Sequence, residues 1–108
     1  NIVESEKTAI IMAAVYGNNA DQIWMACSGM QNLNRDRLRG IIEAKREIVL
    51  YPDRDGVRRW CKKANELQYS PISVNTTAVR DWWQPCDGAK ADIADVVLRI
   101  INNRQLST

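Results

Sequence analysis

The chain has no histidine, only three cysteines, and no apolar run long enough to cross a bilayer. Without histidine there is no Cys–His or Ser–His pair to activate a nucleophile. Cys27, Cys61 and Cys86 are widely spaced and form no C-x-x-C, which argues against a zinc site. Cys27 and Cys61 sit in apolar patterns and are expected to be buried free thiols, suited to a reducing cytoplasm. A spanning helix needs roughly 18 or more consecutive apolar residues, so no membrane partner is expected. Charge of one sign is also lacking: 15 Lys+Arg stand against 13 Asp+Glu, a net +2 that neither demands nor excludes nucleic acid. No internal repeat or low-complexity linker divides the sequence. It opens without Met, almost directly in the apolar "NIVE", and is expected to be a piece of a longer protein whose other domains would be its partners.

What is present fits one soluble domain over residues 1–108, with 45% apolar and 26% charged residues. Ile2-Val3 is a β-branched strand stump. "SEKTAIIMAAVYG" carries helix start and stop signals at Ser5 and Gly17. Its Ile10, Ile11, Ala13, Ala14 and Val15 leave little polar face, which predicts a well-buried helix. "QIWMAC" (22–27) reads as a strand closed by Ser28-Gly29. Asn34 is placed to cap a helix bearing Leu38, Ile41 and Ile42. "EIVLY" (47–51) is the clearest strand. Val57, Trp60, Cys61, Ala64 and Leu67 then fall on one helical stripe, opposite Arg58, Arg59, Lys62 and Lys63. "PISVN" (71–75) is a fourth strand, "TTAVRDWWQPCDGAKA" (76–91) mostly loop, and Asp92 caps a last helix. Strands alternating with helices predict a three-layer α/β fold, with four mostly parallel strands and helices on both faces. The favoured strand order is 2-1-3-4.

Ligands of open α/β sheets bind beyond the carboxyl ends of the strands. Glu4 ends the first strand, and Asp53 and Asp55 follow the third. In an extended segment, residues i and i+2 point to one side, so D-x-D aims two carboxylates at one point. Such oxygen ligands suit Mg²⁺ or Mn²⁺ with waters and a substrate phosphate. Gly56 would let the chain turn sharply into the next helix, whose N-terminus favours phosphate. Each piece also has a plainer reading. D-x-D-G in isolation is most often a turn, Glu4 a helix-start residue and Lys7 a solvated charge. Asp92 and Asp95 read from spacing as an N-cap and a dipole partner. The basic stripe reads as a solvated face, and Trp82-Trp83 as a loop anchor rather than a base-stacking platform.

Taken in order, "IVESEKTAI", "MACSG", "IVLYPDRDG" and "GAKADIADVV" resemble the Toprim domain of bacterial primases, topoisomerases and related nucleases, most closely its primase branch. The resemblance covers nearly the whole chain. It implies phosphoryl transfer on DNA or RNA, with Glu4 as general acid or base and Asp53, Asp55, Glu4 and Asp92 around Mg²⁺ or Mn²⁺. It further implies Asp95 as an outer acid, Lys7 as a basic residue at the site, and Gly29 and Gly56 as turns beside it. An isolated domain of this kind would bind nucleic acid weakly and sit in the cytoplasm. The last acidic segment departs from the family pattern, reading D-I-A-D. A degenerate module that binds nucleic acid or a protein without catalysis fits the same residues. "VLYPDRDGV" is also similar to the first motif of haloacid-dehalogenase phosphatases, in which Asp53 would be a nucleophile and Asp55 an acid/base.

Overall fold

The computed structural model describes residues 1–106. Four strands form one sheet: β1 (Ile2–Val3), β2 (Met25–Ala26), β3 (Ile48–Leu50) and β4 (Ile72–Val74). Their order is β2-β1-β3-β4 and every pairing is parallel, as the alternation of strands and helices predicts. Four helices accompany them: α1 (Glu6–Tyr16), α2 (Arg39–Glu43), α3 (Val57–Leu67) and α4 (Ile93–Leu106).

Because successive strand residues face opposite sides, the two residues of β1 serve two cores. Val3 packs with Met12 of α1 and with Val96 and Val97 of α4. Ile2 joins Ile48 and Leu50 of β3, Leu38 before α2, and Trp60, Ala64 and Leu67 of α3. Helices therefore cover both faces of the sheet, and the fold is a three-layer α/β domain.

Several local expectations differ from the structure. α1 is not well buried: it seats Thr8, Ala9 and Met12, but Ile10 is 70% exposed and Tyr16 52% exposed. A two-residue β1 and a two-residue β2 offer too little sheet to cover a helix that is apolar all round. Cys61 is exposed and Cys27 only half-buried, so neither is a core thiol. The inward stripe of α3 passes through Trp60, Ala64 and Leu67 and leaves Cys61 at its edge. Asn34 caps only a turn, accepting from Arg37 N at 2.9 Å, and α2 starts later, at Arg39. Within the expected loop, a π-helical turn at Thr77–Asp81 buries Ala78 and Val79.

Candidate functional site

β1 and β3 are neighbours in the sheet, so the segments leaving their carboxyl ends emerge side by side. Glu4 follows Val3 directly, and Asp53 follows β3 after Tyr51 and a buried Pro52. Two backbone bonds gather further segments there. Ser28 N, beyond β2, donates to Glu4 O at 2.8 Å. Arg54 N donates to Ala91 O at 2.8 Å, which fixes the Asp53 turn against the entry to α4.

Asp53 takes the electrostatic consequence of this convergence. Burial pushes its carboxyl from the usual 3.8 up to about 7, and the charges of Glu4, Asp92, Asp55 and Asp95 add to the rise in that order. Cys27 lies close enough to feel the same field: burial raises its thiol, and Glu4 and Asp53 raise it further.

The four neighbouring acids are held differently. Asp92 and Asp95 form a reciprocal cap at the start of α4: Asp95 N donates to Asp92 Oδ1 at 2.9 Å, and Asp92 N donates to Asp95 Oδ2 at 3.1 Å. The capping reading of their spacing is thus what the structure displays, and it still leaves Asp92 within the field of Asp53. The other Asp92 oxygen, Oδ2, accepts from Thr8 Oγ1 at 2.7 Å. With that proton committed, Thr8 Oγ1 must accept the 2.8 Å bond from the Ser5 hydroxyl. Ser5 Oγ in turn caps α1 by accepting from Thr8 N at 3.2 Å. One directed chain, Ser5 to Thr8 to Asp92, therefore ties the N-terminus of α1 to that of α4. Thr8 is only 3% exposed and is the buried polar residue that sequence reading passed over. Its signal is present: Ser5, directly after Glu4, and Thr8 stand three apart at a helix start.

Asp55 is not placed as an extended D-x-D would place it. Asp53 is extended, but Arg54–Gly56 forms a 3-10 turn, so Asp55 sits on a helical turn rather than an extended segment, and it is exposed. Gly56 has φ −100°, open to any residue, and a Cβ there would meet Trp60 Cδ1 at an ordinary 3.4 Å. The turn therefore does not depend on glycine. Gly56→Ala is expected to change stability by no more than about 0.5 kcal/mol, since the loss of a good N-cap residue offsets the lower entropy of the unfolded chain; chemical denaturation checks this. Gly29 differs. Its φ of +125° is a glycine conformation, and a Cβ would come within 2.7 Å of the Gln31 side chain. Lys7 is exposed on α1. Trp83 anchors its loop by donating from Nε1 to Gly88 O at 2.6 Å, whereas Trp82 is 47% exposed.

Among the described residues, no three His, Cys, Asp or Glu side chains stand grouped as ligands of one metal ion. The groups whose charges act on Asp53 are all carboxylates, the residue type that hard divalent cations take as ligands. In comparisons with known proteins, the model of one family, a domain of unknown function (DUF6371), matches residues 1–54. No curated protein and no solved structure matches the chain.

Proposed function

The chain belongs to the DUF6371 family, whose matched half carries both Glu4 and Asp53, and we propose that it is a metal-dependent phosphoryl-transfer domain acting on nucleic acid. The observation that carries this reading is the Asp53 carboxyl, raised to about 7 by burial and by Glu4, Asp92, Asp55 and Asp95. A carboxyl so raised is a frequent mark of a functional site. The ordered resemblance to the Toprim domain supports the same chemistry.

In this reading Asp53, with Glu4, Asp55 and Asp92 around it, would hold Mg²⁺ or Mn²⁺. The cation, when bound, stabilises negative charge on the transferring phosphate. Glu4, at the end of β1 and half-buried, would act as the general acid or base, and Asp53 would offer its carboxylate to the cation. Thr8 holds Asp92 in place by its hydrogen bond. Lys7 supplies positive charge on the adjoining turn of α1. DNA or RNA is the partner, bound weakly because a net charge of +2 offers few phosphate contacts, and less well as salt rises. A cytoplasmic setting belongs to the same proposal. Among the described residues no helix is long and apolar enough to cross a membrane.

A second reading, a module that binds nucleic acid or a partner protein without catalysis, is favoured by one observation. Both carboxylate oxygens of Asp92 already accept hydrogen bonds, from Thr8 and from Asp95 N. Thermal melts separate the two. A ligand bound only by the folded state raises the melting point, so the catalytic reading expects a rise with added Mg²⁺ or Mn²⁺ that EDTA reverses. A melting point indifferent to both cations leaves the binding module.

A further inference from the structure

Beside Asp53 lies a second cluster, of opposite charge. A shallow concavity of about 450 Å³ is lined by Arg54, Asp55, Val57, Arg58 and Arg80. The three arginines come from three elements: the 3-10 turn after β3, the first turn of α3, and the π-helical turn after β4. The ion pairs among the described residues are Asp36–Arg39, Lys63–Glu66 and Asp87–Arg99, so none of the three arginines is neutralised by one. Asp55 is the single acid facing them. Arg54 is held as well as charged: its guanidinium carbon sits 3.8 Å from the Trp83 ring centroid. Stacking on a ring face leaves the in-plane N–H groups open to an acceptor.

We propose that Arg54, Arg58 and Arg80 form a phosphate-binding subsite adjoining the carboxylates, which takes a second phosphate of the substrate next to the reacting one. Guanidinium groups match phosphate oxygens in paired hydrogen bonds, and three of them with one opposing carboxylate favour a multiply charged anion. Chain connectivity puts the subsite one residue from Asp53, with Arg54 and Asp55 lining the concavity. Asp55 thus edges the arginine concavity while its charge still reaches Asp53. The identity of the phosphate as part of a substrate rests on the phosphoryl-transfer reading; the anion subsite itself does not. The shared chemistry is a pair of neighbouring phosphates, found in a nucleoside triphosphate and in successive phosphodiesters of a strand.

The test is calorimetric titration of the full chain with inorganic pyrophosphate in EDTA. Saturable binding is expected. Arg80→Gln should weaken it at least tenfold, while Lys62→Gln, which removes the same charge from α3 outside the concavity, should change it less than twofold. Absent binding, or equal losses from both variants, overturns the subsite. ATP and a 5′-phosphorylated oligothymidylate are then added as competitors. Displacement by ATP assigns the subsite to a nucleotide, displacement by the oligomer assigns it to a strand, and displacement by neither overturns the substrate assignment. Mn²⁺ titration without pyrophosphate separates the two claims. A chain that binds Mn²⁺ but not pyrophosphate keeps the acid site and loses the subsite. The reverse result keeps the subsite and loses the phosphoryl-transfer reading.

Discussion

Asp53→Asn makes the metal-free protein more stable at pH 8, leaves it unchanged near pH 4, and weakens Mn²⁺ binding at least tenfold. The sign follows from proton linkage. The folded-state pKa of Asp53, about 7, lies above the ordinary 3.8. Between those values the folded protein binds more protons than the unfolded chain, so stability falls as pH rises through the window. The contribution is fully present below 3.8 and lost once the pH has passed about 7. At ~1.4 kcal/mol per tenfold change, the rise from 3.8 to about 7 sets a ceiling of about 4 kcal/mol. Asp53 is only half-buried and water screens its neighbours, so about 1–2 kcal/mol is expected. Asparagine keeps the shape and removes the charge, which should raise the melting point at pH 8 by about 5 °C or more. The metal loss corresponds to about 1.4 kcal/mol or above. Asp55→Asn, at an exposed turn position, should move the metal-free melting point little. If Asp53→Asn instead melts lower at pH 8, and Mn²⁺ shifts neither protein, Asp53 is a turn residue and the acid site is withdrawn.

The adjacency of the two strand ends behind that prediction is legible in the sequence, because it depends on topology. Glu4 and Asp53 end strands that had to be neighbours for the acids to meet, and the sheet order β2-β1-β3-β4 makes them so. Helices α1, α3 and α4 were legible too, from their caps and apolar spacing. Side-chain direction was not. Whether Asp53 and Asp55 point together depends on the φ and ψ of Arg54, and a 3-10 turn there undoes the extended geometry that the D-x-D spacing suggests. The burial of α1 is not legible, because apolar composition does not reveal how little sheet lies beneath the helix; Ile10 and Tyr16 stay in water. The arginine concavity was illegible for a different reason. Arg80 sits in a segment without periodicity, and only the fold brings it to Arg54 and Arg58. The role of Thr8 is illegible because its partner, Asp92, is 84 residues away in sequence.

Thr8→Val carries the other large effect: a loss of about 2 kcal/mol, with Thr8→Ser losing clearly less. Valine has nearly the same shape, so packing around this 3%-exposed position is kept while the hydroxyl is removed. Asp92 Oδ2 then loses its 2.7 Å donor in a part-buried setting. Hydrogen bonds to charged groups contribute about 1.5–3 kcal/mol, and an acceptor left without its donor costs more than one never buried. The Ser5 hydroxyl loses its acceptor in the same step, although Ser5 Oγ can still cap Thr8 N. Serine keeps the bond and gives up a methyl group, roughly 1 kcal/mol. A double-mutant cycle of Thr8→Val with Asp92→Ala isolates the link between the N-termini of α1 and α4; residues in direct hydrogen-bond contact should show a coupling of about 1 kcal/mol or more. Denaturant melts at pH 7 supply all four corners of the cycle. A coupling near zero, or a Thr8→Ser loss equal to that of Thr8→Val, would mean that Thr8 only fills space. Asp92 would then owe its place beside Asp53 to the α4 cap alone, and the acid site would lose the strut that α1 provides.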